Sequence, residues 1–565
     1  MLDLLVLTVL LPLCGAGCLL VLSRFISRLR LKLVRLGVSV LACGIAVGVL
    51  GIVLLLRTQA EGTTAVSLWD SSLLAESAIR LGLDRWLWSL GLALSLATCS
   101  FLLAEIDRGP DSSFVGGGVT LALLGAGLAA IWSANPLTTL ISWGLYDLIL
   151  MLGEIASGSR SGLAVRRFAF GSLSVLCLWA GVQAAGNGTG SVQWSFMPPG
   201  GAKMTLWVLA GLLRLGAYPF HFSIPLADAA SVPVAAGLLA PGMGWTLWMR
   251  LVLVDGGVLA HNAWLLAPAA MTLVVGGLLG WAAEAPMERR AWIGMGISGA
   301  AMLAVVVASG LATGEGSGGN IVLPIMTLGA TGWLLSVPVI ALGGNVDTRP
   351  LSRRWSWLPT GMSVLGAVHL VGLPPTMGFA AQSLLMRGLA TTTPWGWTVG
   401  AFVGQLFLVA AVARWLAPTL PPGRLCRGEH SLLSRMLQGA ALTCPVLLII
   451  GGGLFPMLLV GSSAGQPLES LMAGPGATSW LLWAVALILG ALLGWQDTYV
   501  RRRVSLWLNV LHDFVRLDWA LVLLVGALEQ GLAVLRAVDD VLGGRGALLW
   551  ALIMLLLAIL VWRVS

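Results

Sequence analysis

Apolar runs of about 20 residues follow one another from one end of this chain to the other, and each is long enough to cross a bilayer. They lie at 2–23, 34–56, 86–104, 115–133, 135–156, 165–185, 204–222, 231–254, 262–283, 290–312, 320–343, 358–386, 396–417, 436–461, 477–495 and 545–563. By the span rule they amount to roughly 14–16 membrane helices. Hydrophobic residues make up 58% of the chain and charged residues 10%, against about 25% charged in a soluble domain. In hydrocarbon every backbone polar group must be bonded within the protein, so the expected fold class is an all-α polytopic membrane protein. The longest hydrophilic segments, 57–84 and 418–435, are loop-sized and leave no room for a separate soluble domain.

The net charge of +8 would suggest nucleic acid in a soluble protein. Here the basic residues fall between the runs, so they report orientation instead. Arg24 to Arg35 follow the first run, Arg160, Arg166 and Arg167 the fifth, and Arg289 and Arg290 the ninth. Arg349, Arg353 and Arg354 follow the eleventh, Arg424, Arg427 and Arg435 the thirteenth, and Arg501 to Arg503 the fifteenth. All of these follow odd-numbered runs, which puts the N-terminus outside. The first run has no basic segment before it and reads as a retained helix rather than a cleaved signal.

The seven cysteines (14, 18, 43, 99, 177, 426 and 444) are scattered, with no iron–sulfur or zinc spacing. With no nucleotide fingerprint either, no cofactor or metal of its own is expected. Gly451 to Gly453 lie in an apolar run and read as packing residues. The 26 tryptophans suit an interfacial belt.

Two runs are interrupted. "GLLRLGAYPFHFSIPLADAASVP", residues 211–233, holds Arg214, His221 and Asp228 among Pro219, Pro225 and Pro233. "HLVGLPPTMGFAAQSLLMRG", residues 369–388, holds His369 and Gln382 around Pro374 and Pro375. Broken backbone at membrane depth is tolerated where protein or a water-filled cavity satisfies it, and a pair of broken helices points to a transport pathway. Two proline kinks that only shape packing are the alternative. Asp147 and Glu154 lie in "LTTLISWGLYDLILMLGEIASG", seven residues apart and so on one helix face. Glu154 stands with Asp147, Arg214, His221, His369 and Gln382 as an ion-pathway candidate, though its place near the end of its run reads more readily as a solvated helix end. Asp147 lies too deep for that, and Arg214 is its candidate partner, because isolated charges in the bilayer each cost about 2.5–3.5 kcal/mol or more. Residues 497–544 mix charges with apolar residues at helical spacing and read as one amphipathic helix along the membrane or along partner subunits.

The segment Arg214-Leu-Gly-Ala-Tyr-Pro219-Phe220-His221, with Pro225 and Val232-Pro233-Val234 after it, resembles a motif of the antiporter-like membrane subunits. These occur in complex I (NADH:quinone oxidoreductase), in group 4 membrane-bound hydrogenases and in Mrp-type cation/proton antiporters. That motif runs Lys-Ser-Ala-x-x-Pro-Phe-His-x-Trp-Leu-Pro-Asp-Ala, then Pro-Val-Ser. "GLPPTMGFAAQ" (372–382) is similar to the family's Gly-Leu-Pro-Pro-x-x-Gly-Phe-x-x-Lys, and "LGLDR" (81–85), "NPLTTLISWGL" (135–145) and "ERRAWIGMGISGAAML" (288–303) are weaker matches in the right order. The resemblance implies two inverted five-helix repeats, here 115–254 and 255–420, after N-terminal helices at 1–114 and before C-terminal helices at 421–565. It also implies proton carriage along the membrane midplane, coupled to redox chemistry in partner subunits. Expected partners are other membrane-arm subunits, redox-active peripheral subunits and lipid, with no nucleic acid. The expected location is a bacterial cytoplasmic membrane.

The relay residues depart from the family pattern. The chain has two lysines, Lys32 and Lys203, and neither is mid-run. Arg214 stands at the first broken-helix lysine and Gln382 at the second, Met243 stands near a third, and the run at 320–343 has no ionisable residue. Gly144 takes the family glutamate position, with Asp147 one turn on, and the acidic residue after Pro225 is shifted to Asp228. Arginine stays protonated to above pH 12 and glutamine does not titrate, so the expected proton path is degenerate. Arg214 is then a static counter-charge for Asp147 or a barrier to leak. Transport by water through His221, His369 and Asp147 is the competing version, since histidine titrates near neutrality. A stand-alone or Mrp-like transporter of cations or small anions, and a structural anchor for a peripheral enzyme, stand as alternatives.

Overall fold

A segment in hydrocarbon has no water to bond, so helices form wherever the apolar runs are long. The computed structural model describes residues 2–26, 32–59, 64–70, 78–108, 114–158, 161–186, 192–224, 237–255, 257–312, 318–343, 357–379, 382–383, 385–386, 395–417, 432–460 and 477–543. Helices α1 (Leu2–Ile26) and α2 (Lys32–Leu55) precede a hairpin of β1 (Thr64–Asp70) and β2 (Ala78–Leu83). Then come α3 (Arg85–Arg108), α4 (Phe114–Ile131), α5 (Pro136–Ala156), α6 (Ser161–Ala185), α7 (Ala202–Arg214) and α8 (Pro241–Val254). They are followed by α9 (Leu266–Ala282), α10 (Pro286–Ala312), α11 (Gly318–Gly343), α12 (Trp357–Val371) and α13 (Trp395–Leu416). The last four are α14 (Leu432–Leu454), α15 (Ala477–Trp495), α16 (Asp497–Val515) and α17 (Asp518–Gly543).

Nine described helices are long and apolar enough to cross a membrane, and four shorter apolar helices lie at 115–131, 266–282, 360–371 and 480–495. The chain is an integral, multi-pass membrane protein. Interrupted runs give short helices: α7 stops at Arg214 and α12 at Val371. Pro225, Asp228, Pro233 and the run at 545–563 lie outside the described residues.

Both interruptions are the same corner. Helix α7 ends with Gly216 N–H on Leu213 O (3.2 Å) and Ala217 N–H on Leu212 O (3.3 Å). Helix α12 ends with Gly372 N–H on His369 O (3.0 Å) and Leu373 N–H on Val368 O (2.9 Å). This paired bonding closes a helix through a left-handed residue, and the glycines supply it with φ of 66° and 81°. Three residues on, each corner has a cis peptide before proline, Tyr218–Pro219 and Pro374–Pro375.

The segment 57–84 holds the hairpin rather than a plain loop. Thr64 pairs with Leu83 and Asp70 with Ala78, antiparallel, with a bulge between Ser67 and Trp69. The free edge of β2 is covered by the α4–α5 link, where Gly82 N–H bonds Trp132 O (2.6 Å) and Ala134 N–H bonds Arg80 O (2.9 Å). Asn135 ties this patch to α5. Its Nδ2 donates to Ala78 O (2.7 Å) and its Oδ1 accepts from Thr138 N–H (2.9 Å) as the helix N-cap. Pro136 at the first helical position needs no acceptor. The start of α5 is therefore fixed, and with it the height of every side chain along α5.

Helices α3, α10 and α11 are largely enclosed, while α1 and α6 leave most of their surface outward. Helix α9 packs on α10 and α13 through glycine. A Cβ on Gly276 would stand 2.4 Å from Gly296 N, and one on Gly277 would stand 2.8 Å from Gly404 O. Bare backbones in contact are how apolar helices gain packing energy without a hydrophobic driving force.

The chain divides into two compact units, Met1–Val500 and Arg501–Ser565. The amphipathic segment is two helices, not one. Helix α16 ends and α17 begins around Leu517, whose φ is 58°. Arg516 Nε meets Asp518 Oδ2 at 2.7 Å, and Trp519 Nε1 donates to Phe514 O at 3.0 Å. A left-handed non-glycine residue costs about 1–3 kcal/mol, and these contacts surround it.

Candidate functional site: two ion pairs on one helix

Helix α5 carries two carboxylates on its inward face and Ile141, Leu145, Leu148, Leu152 and Ile155 on its outward face. Asp147 sits near the helix middle and is 7% exposed. Arg214, 3% exposed, is the last residue of α7, where a cation also faces the negative end of the helix dipole. Its Nη1 donates to both Asp147 oxygens, at 2.7 Å and 2.6 Å. Its Nη2 approaches Met243 Sδ on α8 at 3.6 Å. The guanidinium lies over the Trp143 and Tyr146 rings, 5.2 Å and 5.7 Å from their centroids. Arg214 Nε has no hydrogen-bond partner among the described residues. A Cβ on Gly171 would stand 2.5 Å from Asp147 Oδ2, so this glycine is what lets α6 come flush against the carboxylate.

Glu154 is not a solvated end. It is 2% exposed and forms an ion pair with Arg167 of α6, itself 8% exposed. Arg167 is correspondingly not a loop residue but part of α6. Arg290 likewise lies inside α10, where it donates to Ala341 O of α11 at 3.0 Å. An arginine near a helix start has a stem long enough to turn inward and reach a neighbouring group, which a tally of loop charges cannot see. Arg250 of α8 does the same toward Ile131 O at the end of α4 (2.9 Å). No signal in the sequence marked these arginines beyond their place at the ends of apolar runs.

His221 follows the first corner in a single 3₁₀ turn, His221–Ser223. Its Nδ1 is 3.2 Å from Pro219 O. Its ring stacks on Phe222 (4.5 Å) and Tyr218 (5.5 Å) and lies 5.1 Å from Trp292. His369 staples the second corner. Gly378 N–H donates to its Nδ1 (3.1 Å), which must then be unprotonated, so Nε2 carries the hydrogen and donates to Gly332 O of α11 (3.1 Å). Both ring nitrogens are thus committed to backbone. Gln382 is buried beside Gly372, and its Nε2 has no partner among the described residues. Asp147 and Arg214 bond each other, and neither bonds His221, His369 or Gln382.

No protein-family model matches the chain. It is 23% identical over 317 residues to NADH-quinone oxidoreductase subunit N of Acidithiobacillus ferrooxidans, an alignment covering 53% of this chain and 64% of that protein. It is 26% identical over 352 residues to NADH-quinone oxidoreductase subunit N 1 of Solidesulfovibrio magneticus, covering 58% and 72%. A probable K+/H+ antiporter component of Rhizobium meliloti is 29% identical over 209 residues, covering 32% and 39%. Among solved structures, a chain of the membrane-bound sulfane sulfur reductase, an archaeal respiratory membrane complex, superposes with a TM-score of 0.70 at 14% identity, over 98% of this chain and 99% of that one. A chain of the Mrp complex from Dietzia sp. DQ12-45-1b gives 0.68 at 17%, over 99% and 63%. A chain of respiratory complex I from Thermus thermophilus gives 0.64 at 19%, over 83% and 99%. These structural neighbours all come from multisubunit membrane complexes. The chain is thus a homologue of complex I subunit N and of a K+/H+ antiporter component, built on the fold of the antiporter-like membrane subunits.

Proposed function

We propose that the chain is an antiporter-like membrane subunit of a redox-driven, ion-translocating assembly related to complex I, and that its own proton relay is locked. The homology to two N subunits supports the first part. One observation carries the second: Arg214 grips both oxygens of Asp147 at the corner where the resemblance expects a lysine. A lysine there could release its proton, because burial lowers its pKa by several units. A guanidinium cannot. With His369 bonded at both nitrogens and Gln382 unable to titrate, the second corner offers no replacement carrier. The subunit would contribute scaffold and a static charge pair while neighbouring subunits conduct.

In this reading the partners are membrane-arm subunits, redox-active peripheral subunits and lipid. Repeats at 115–254 and 255–420 would frame the two corners. The location is a bacterial cytoplasmic membrane with the N-terminus outside, on the arginines after the first, eleventh, thirteenth and fifteenth runs, Arg167 and Arg290 being buried in helices. A Mrp-like reading is favoured by the alignment to the K+/H+ antiporter component. Mild-detergent purification of the tagged chain distinguishes the two. Copurifying iron–sulfur, hydrogenase or dehydrogenase subunits are expected, and a lone or homo-oligomeric protein overturns the proposal. Reconstituted alone, the chain should pass no more protons than empty liposomes. Flux in the wild type that Asp147→Asn abolishes overturns the locked relay.

A further inference from the structure

Glu154 and Arg167 form a second buried ion pair, and its position is informative. Glu154 stands two turns beyond Asp147, about 10 Å along α5 toward the end that carries Ser157 and Gly158. Leu150 lies between the two carboxylates on the same face and is buried. Helix α6 meets this face at both levels, through the Arg167 guanidinium at Glu154 and through bare Gly171 at Asp147. A third wall comes from Gly237, where a Cβ would stand 3.0 Å from Leu150 Cδ1 and 3.5 Å from Arg167 Nη1. The outward face of α5 is apolar throughout this stretch.

A pair of apolar side chains would pin α5 to α6 as well or better, because a buried ion pair is often neutral or worse than a hydrophobic replacement. What a charge pair adds is reversibility. It favours a closed seam while both members are charged, and that preference is lost when one is neutralised or drawn away, since a lone buried charge is costly unless it is paired or solvated. The next groups inward along the seam are Leu150 and then the Asp147–Arg214 pair.

We propose that Glu154 and Arg167 form an access gate that keeps water out of the α5–α6 seam between the C-terminal end of α5 and the Asp147–Arg214 pair. The inference rests on reading that inner pair as the remnant of a relay. Arg167 is here a positioning residue: it acts on Asp147 by closing the approach to it.

The test places a reporter between the pairs. Leu150→Cys in the full-length chain, purified in detergent micelles, is treated with a membrane-impermeant cationic methanethiosulfonate, and labelling at position 150 is followed by peptide mass spectrometry. With the pair intact the thiol should label slowly. Adding Glu154→Gln or Arg167→Gln should raise the rate by roughly tenfold or more, because labelling follows the opening equilibrium. Arg167→Lys, which keeps the charge, should leave labelling slow. Native Cys99, buried on α3, reports global loosening and should stay unlabelled throughout. Fast labelling with the pair intact, no acceleration in either neutralised variant, or acceleration matched at Cys99 would each overturn the gate. A failure to copurify with redox subunits would overturn the functional reading and leave this result standing.

Discussion

The membrane unit holds two copies of one corner, and two sets of its helices meet in opposite ways. In the first, α5, α6 and α7 meet through charge: Asp147 with Arg214, and Glu154 with Arg167. In the second, α9, α10 and α13 meet through bare backbone at Gly276, Gly277, Gly296 and Gly404. The arginines of that second region sit at helix ends on carbonyls: Arg289 and Arg414 both bond Ala283 O, and Arg290 bonds Ala341 O. In the first corner the residue two before the left-handed glycine is Arg214, and in the second it is Leu370. One corner geometry thus tolerates a permanent cation or none. The cation persists only where a carboxylate on α5 meets it.

If charge holds the first set, breaking it should cost most. Arg214→Leu leaves Asp147 buried and unpaired, and should destabilise by about 3–5 kcal/mol. The double change Asp147→Leu with Arg214→Leu should recover most of that loss. Denaturant or thermal unfolding in micelles reads both, and a double variant as weak as the single would mean that the corner needs the ions for more than neutrality. The glycine contact in the second set is the next largest. Gly276→Ala forces α9 from α10, because the clash is with backbone at Gly296, and should cost about 1–3 kcal/mol. If α9 and α10 tolerate it fully, backbone contact is not what holds them. The smallest effect has the opposite sign. Gln382→Leu removes a buried amide whose Nε2 lacks a partner among the described residues and should be neutral or stabilising by up to about 1 kcal/mol. A clear loss would show that the amide holds water or a group at the second corner.

Much of this is legible in the residues. The order Arg214, Gly216, Pro219, His221 and its echo at Gly372 and Pro375 mark both breaks, because glycine and proline act through local backbone geometry. Asp147 points to Arg214 through elimination, since a mid-span carboxylate needs a cation and the chain has no lysine to offer there. Glu154 reads wrongly as a solvated end because helix ends look alike in sequence whether they face solvent or a neighbouring helix. Arg167 reads wrongly as a loop charge for the same reason. The hairpin at 64–83 lies within a segment read as a loop, and the partner of its β2 edge, the α4–α5 link, is distant in sequence. The break at Leu517 has no glycine to announce it.

The sequence by itself determined that this chain lives in lipid, that the runs at 211–233 and 369–388 break where glycine and proline stand, and that Arg214 and Gln382 at those breaks cannot titrate as lysines would. Those properties follow from transfer free energy, backbone dihedrals and proton affinity, which belong to single residues or their nearest neighbours. Tertiary structure alone decided which arginine met which carboxylate, that both nitrogens of His369 were taken, and that glycine rather than charge joined α9 to its neighbours. Those outcomes depend on which helix face turns toward which, and a length of apolar chain carries no record of that until the helices pack.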